Sequence, residues 1–500
     1  MHATRHRSRV FRGAGMNPAP LILRGRFASP GGASARILLL ILVPLLAVAG
    51  AGGDSPGLRP EAVRAHVEFL ASDALNGRGS GTRDELIAAT YAAEQLRQFG
   101  IEPAMEGGYI QTIDLLQPEL AGPPVLVVFP SAGPEARFTH GREVVVAAMT
   151  GPRVEGPLQK LDAGSIGKTR PGAVVLLAPR TGDASTPSRP SGVAEAIERG
   201  AAAVLTVADA QATQRWESLA ARIPRLPAVL AAFGEAPGSS PTVVILGADA
   251  ARTVAALPEG ARVRVQGELK EMQRGSTWNV VGRLPGSDAK RTSEAVLLSA
   301  HIDHLGVGEP VDGDAIYNGA NDDASGVAAV LELARALASG PRPKRTTLFS
   351  LFGSEERGGY GAAYFRERPP VPLEQIVANL EFEEIGLPAP KMPPRTLWLT
   401  GWERSDLGPT LAAHGARLVP DPYPEQDLFR RSDNYVLARA GVVAHTAAGD
   451  VLFPQYHRPS DEPKILDYGH MSDTIGSLIE PIRWLLDSEF RPRWTKGGRP

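Results

Sequence analysis

"ASGVAAVLELARALAS", residues 324–339, decides how this chain reads. Val327, Val330, Leu331, Ala334 and Leu337 recur at three-and-four spacing, which sets them on one stripe of a helix. An apolar, strand-like run stands on either side, "EAVLLSA" at 294–300 and "RTTLFSLFG" at 345–353. Two more follow, "QIVANLEF" at 375–382 and "AGVVAHTA" at 440–447. Strands alternating with helices predict an α/β fold with a mixed, mostly parallel central sheet flanked by helices.

Upstream, "PEAVRAHVEFLAS" and "RDELIAATYAAEQLRQFG" have helical spacing, and the second stops at Gly100. Between about 120 and 265 the texture changes. Short Val-rich runs such as "PPVLVVFP", "GAVVLLAP" and "AAAVLTVA" alternate with Pro/Gly turns, and "SGVAEAIERG" is the one clear helix. This predicts a strand-rich insert at 120–265 within a discontinuous domain made of 54–119 and 266–490, with a tail at 491–500.

The first 53 residues carry seven Arg and no acid. They end in the apolar run "ILLLILVPLLAVAGAGG", 37–53, which has the order of an export signal, with small residues near 47–51 as the cleavage site. The run is short for a spanning helix, though an uncleaved anchor remains the alternative. The expectation is a periplasmic or secreted protein that meets the membrane only through this segment. The remainder holds 46 basic and 55 acidic residues, a net of −9, with no basic run interleaved with aromatics, which argues against nucleic-acid binding. There is no cysteine, so disulfides and thiolate metal sites are excluded.

In a sheet of this kind ligands bind beyond the carboxyl ends of the strands. That rule selects His301 and Asp303 after the first strand, Asp322 at the start of the helix, Glu355 and Glu356 after the second strand, Glu381 at the end of the third and His457 in the loop after the fourth. Adjacent Asp322 and Asp323 suit a helix start, where carboxylates are favoured, or a bound cation. Two His and several carboxylates without Cys suit Zn²⁺, Mn²⁺ or Co²⁺, and they are numerous enough for two metals sharing a carboxylate.

The series "SAHIDHLG", "NGANDDASG", "LFGSEERGGYGAAYF", "ANLEFEEIG", "RRSDNYVLARAGV" and "YHRPSD" resembles the motifs of metallopeptidase family 28, the co-catalytic zinc exopeptidases. The resemblance covers about 55–120 and 266–486, and the insert resembles a protease-associated (PA) domain. It implies two zinc ions, with His301 and Glu381 on one, Glu356 and His457 on the other, and Asp322 bridging. It further implies Asp303 orienting the His301 ring, Glu355 as general base, and a cis peptide between Asp322 and Asp323. Glu381 stands where the family more often has Asp, and Asn434 in "SDN" where His is common. Phe429 precludes an oxyanion Tyr just upstream, and Tyr456 matches the Tyr of the carboxypeptidase branch. His304 has no ligand role in this pattern, His445 reads as structural, and Glu383 and Glu384 read as solvent-facing.

The expected activity is removal of N-terminal residues from peptides. The alternatives are a carboxypeptidase or dipeptidase, marked by Arg residues gripping a free carboxylate; a glutaminyl cyclase-like acyltransferase with one zinc; and a non-catalytic binding protein on the same scaffold.

Overall fold

The computed structural model describes residues 58–162, 164–178, 192–234 and 242–500. The segment that reads as an export signal lies outside them. Among the described residues no helix is long and apolar enough to cross a membrane.

Two helices lead in. Helix α1 (Pro60–Leu70) begins on a proline, whose missing N–H costs nothing in a first turn. Helix α2 (Arg83–Gln98) begins at Thr82, whose side chain accepts from the Glu85 N–H. They bury Val63, Val67 and Leu70, and Ala88, Ala92 and Leu96.

Among the described residues the larger sheet has ten strands. In chain order its main members are β1 (Ile110–Gln117), β2 (Gln273–Leu284), β3 (Ala295–His301), β4 (Thr346–Phe352), β5 (Ile376–Glu383), β6 (Leu397–Leu399), β7 (Leu418–Pro420) and β8 (Ala444–Ala448). Their spatial order is β7-β6-β8-β5-β3-β4-β2-β1. The four central strands β8, β5, β3 and β4 are mutually parallel, and β2 and β1 run antiparallel to their neighbours. Every residue of β3, β4 and β8 is buried, as their unbroken apolar runs imply.

Helix α3 (Ser325–Ala338) connects β3 to β4. The predicted stripe is buried, but so are Ala328, Ala329, Glu332 and Leu333. The helix lies between the sheet and both α1 and α6 (Tyr468–Asp487), so it is covered nearly all round. Helices α4 (Tyr360–Glu367) and α5 (Asn434–Ala440) precede β5 and β8.

Residues between β1 and β2 build a second sheet, eight-stranded among the described residues, from Val125–Phe129 to Arg262–Gln266, with its own apolar core around Leu126, Leu158, Val174, Leu205 and Val244. The sequence pointed to one helix here. The structure also has Ala248–Ala256, whose buried face is only Ala250, Ala251 and Val254, too small a stripe to stand out. One piece of this segment leaves the second sheet: Val229–Leu230 pairs with β1 at the edge of the larger one. The Tyr360 hydroxyl fastens it further, donating to the Ala228 carbonyl at 2.9 Å. Gln117 and Gln273, the two ends of the excursion, face each other on β1 and β2.

Candidate metal centre

The carboxyl ends of β3, β4 and β5 and the start of α3 converge as the sequence implied. The turn before α3 needs glycine, because Gly319 has φ +60° and a Cβ there would meet the Asp322 carbonyl at 2.3 Å and the His304 ring at 2.5 Å. The Asp322–Asp323 peptide is cis.

Asp322 faces two ways. Its Oδ1 lies 3.0 Å from His301 Nε2, and its Oδ2 lies 3.2 Å from His457 Nε2. His301 Nε2 is also 3.8 Å from Glu383, and His457 Nε2 is 3.3 Å from Glu356 Oε2. His304 Nδ1 approaches the other Glu356 oxygen at 2.6 Å. Two clusters of His and carboxylate result, His301–Asp322–Glu383 and His304–Asp322–Glu356, and Asp322 belongs to both.

Glu381 belongs to neither, which corrects the expectation that it sits with His301. The reason is register. Ser299 of β3 pairs with Glu381 of β5, so His301, two residues on, is level with Glu383. Glu381 lies two residues back, roughly 6.6 Å along the strand. There it accepts from the Asn434 N–H and, at 3.4 Å, from the Thr446 hydroxyl. Glu383 and Glu384 do not face solvent freely: Glu384 is buried and Glu383 is largely so.

Asp323 is a support. It accepts from the N–H groups of Gly326 at 2.9 Å, Glu384 at 3.2 Å and His301 at 3.3 Å, tying the start of α3 to the ends of β3 and β5. Asp303 lies 3.8 Å from His301 Nδ1, beyond hydrogen-bond reach, and accepts from the Glu355 N–H at 3.0 Å and from the Ser80 hydroxyl. Tyr456 stacks on His457, with ring centroids 3.9 Å apart.

Three supports were not visible in sequence. Arg78, fully buried, donates to the carbonyls of Leu70, Ile302, Asn318 and Gly319, so it clamps the His301 loop to the Asp322 loop. Glu85 accepts from Thr277, Gly81 and the N–H of Ser354, the residue before Glu355. Asp461 accepts from the N–H groups of Asn321 and Asp322. The acids of Arg78's surroundings are distant in sequence, and no spacing rule joins them.

The charge balance is extreme. Burial pushes the Glu355 and Glu381 carboxyls well above the usual range, and takes Glu383 to about 6 and Asp433 to about 8, despite the pull of His301. Burial also opposes the charge on Asp322, but His304, His301 and His457 outweigh it and hold that carboxyl well below its ordinary value. Burial likewise opposes protonation of His457, yet Asp322 and Glu356 carry it up to about 10. Both ring nitrogens of His301 and of His304, and Glu356 Oε1, lack a hydrogen bond of good geometry. Buried polar groups normally find partners. A set of buried carboxylates and imidazoles with spare lone pairs, and no thiolate, fits hard or borderline divalent cations.

The comparisons bear on the same stretch. The model of peptidase family M28 matches residues 279–479. A probable zinc metalloprotease of Pyricularia oryzae is 40% identical over 89 residues, which is 18% of this chain and 17% of that protein. A vacuolar membrane protease of Candida tropicalis is 36% identical over 103 residues, 21% of this chain and 10% of that one. The chain thus spans under a fifth of the length of these relatives. Among solved structures, an aminopeptidase from Aneurinibacillus sp. strain AM-1 aligns over 88% of this chain and 95% of its own at 18% identity, TM-score 0.49. A zinc aminopeptidase from Bacillus subtilis aligns over 88% and 98% at 16% identity, TM-score 0.47. The segment that carries the two clusters is thus the one that matches the model of peptidase family M28, at residues 279–479.

Proposed function

We propose that this protein is an exported aminopeptidase with two zinc ions. The observation that carries the reading is the double orientation of Asp322, one carboxylate oxygen toward each cluster. His301, Asp322 and Glu383 would hold one metal; Asp322, Glu356 and His457 the other, with His304 bracing the far oxygen of Glu356. Bound there, two divalent cations supply an acidified water and polarise the scissile carbonyl.

The chain supplies the rest. Asp303 holds the backbone of Glu355 from its N–H, fixing the loop that presents this carboxyl. Burial raises the proton affinity of Glu355, so its carboxylate would suit proton uptake from the attacking water and return to the leaving amine. Tyr456, half-buried and stacked on His457, would donate to the carbonyl oxygen as charge develops. Glu383 borders a small pocket beside the centre, and an acid at that place suits a free α-ammonium. The second sheet would act as a PA-type insert, and the front segment as the export signal.

One observation favours a second reading. Arg225, Arg274 and Arg357 line a cleft of about 370 Å³ bordered by residues 226–228, the paired ends of β1 and β2, and Tyr360, and Arg357 follows Glu356 directly. Such a cleft suits the free carboxylate of a short peptide, as in a dipeptidase or carboxypeptidase. The deciding experiment uses purified protein with its zinc counted by elemental analysis, on aminoacyl-nitroanilides and on N-blocked peptides with free carboxyl ends. About two zinc ions and cleavage confined to free-amine substrates is the expected result. Cleavage of the blocked peptides would move the protein to the second reading.

A further inference from the structure

Glu384 has no task in the chemistry above. It follows the proposed ligand Glu383, has φ +52°, and its side chain is buried at 5% exposure. Its Oε1 has no hydrogen-bond partner. The side chain borders the pocket that opens beside the metal centre, whose walls include Trp398, Leu428, Val451 and Tyr456. The free space is about 40 Å³. That is room for roughly three water-sized groups, so the pocket suits the end of a slender chain over a branched or aromatic one. Its apolar walls suit methylenes, and the Trp398 ring adds a face that attracts cations. Arg431 also borders it and is exposed to solvent.

From this geometry we infer that Glu384 makes the enzyme selective for a cationic, unbranched side chain on the N-terminal residue of the substrate, lysine above all. The inference rests on the aminopeptidase reading and adds a substrate class to it. A buried carboxylate with a free oxygen is left unpaired by a neutral side chain and gains a charge-assisted hydrogen bond from an ammonium. Sites built around such a buried polar group discriminate strongly against analogues that lack its partner.

The test compares lysyl- with norleucyl-nitroanilide on the zinc-loaded full-length protein. Norleucine keeps the α-amine and the methylene stem and lacks only the terminal ammonium. The expected kcat/KM ratio is at least about 10 in favour of lysine, falling to near 1 in Glu384→Gln. A wild-type ratio near 1, or a preference for glutamyl substrates set by Arg431, would overturn the inference while the aminopeptidase reading stands. If Glu384 served the α-ammonium instead, Glu384→Gln would slow both substrates alike, which also overturns it. Calorimetric binding of lysinamide against norleucinamide gives a second readout without turnover. Tighter lysinamide binding that depends on Glu384, with no cleavage of any anilide, would uphold the pocket and sink the aminopeptidase reading. Equal binding of the two amides would sink the pocket.

Discussion

His301 and Glu383 stand level on neighbouring parallel strands, because the register pairs Ser299 with Glu381 two residues earlier on each. One pleat therefore decides which of two glutamates on β5 would meet a cation beside His301. Glu383→Ala is expected to leave about one zinc per chain and to cut kcat/KM at least about a hundredfold, the scale on which a lost catalytic interaction is felt. Glu381→Gln is expected to keep both. Elemental analysis of the two variants side by side checks the assignment, and the reverse pattern would restore Glu381.

Asp322 is the one carboxylate shared by both clusters. Asp322→Asn is expected to lose both metals and all measurable turnover, while Glu356→Gln is expected to lose one. Stoichiometric loss of only one zinc in Asp322→Asn would show that the carboxylate does not bridge.

Glu355 is offered as a proton carrier and makes no part of either cluster. Glu355→Gln is expected to hold about two zinc ions and lower kcat by about 10²–10⁴. Its KM should change little. Retention of substantial kcat would move the proton transfer elsewhere.

Arg78 concerns stability. Its guanidinium reaches four carbonyls in a region dense with carboxylates. Burial lowers its pKa and Asp303, Asp322, Asp323 and Asp461 oppose that shift. Arg78→Met leaves those acids without their buried counter-charge, and roughly 3–5 kcal/mol of destabilisation is expected. Urea unfolding of the metal-free protein measures it, and a loss under about 1 kcal/mol would mean that the two loops hold without the clamp.

His445 gives a pH dependence of known sign. Buried on β8, it lies 2.7 Å from both the Thr400 carbonyl and the Ser405 hydroxyl, a pairing the neutral ring satisfies as donor at Nδ1 and acceptor at Nε2. Burial lowers its pKa to about 4, below the ordinary 6.5. The unfolded chain then binds the proton first, so this residue's contribution is complete above pH 6.5 and is lost as pH falls toward 4. The loss is about 3 kcal/mol at 1.36 kcal/mol per unit. Unfolding midpoints at pH 7 and pH 4.5, compared between the wild type and His445→Gln, should show a smaller drop in the variant.

Much of this was legible beforehand, and the reasons are local. The β3, β4, β5 and β8 runs are apolar and bounded by turns, so a strand reading was available for each, and the rule that ligands gather at strand ends brought out His301, Asp322, Glu355, Glu356 and His457. Register is not local. It is fixed by how β5 pairs with β3, and a slip of two residues keeps the same face, so Glu381 and Glu383 look alike until the ladder is known. Arg78, Glu85 and Asp461 were invisible for a related reason: each acts through backbone groups of segments far away in the chain. The helix Ala248–Ala256 was missed because alanines give a faint stripe.

The pairing of Gln117 with Gln273 has a consequence for how this architecture is assembled. Topologically the whole second sheet is the loop of a single β-hairpin, entered and left at one rung of the ladder. Because closure entropy grows only with the logarithm of loop length, pairing β1 and β2 around so large a passenger costs only about 3–4 kcal/mol more than around a short turn. The peptidase framework is thus continuous in space where the chain is interrupted, and a short Asn-Gly turn would complete the same ladder.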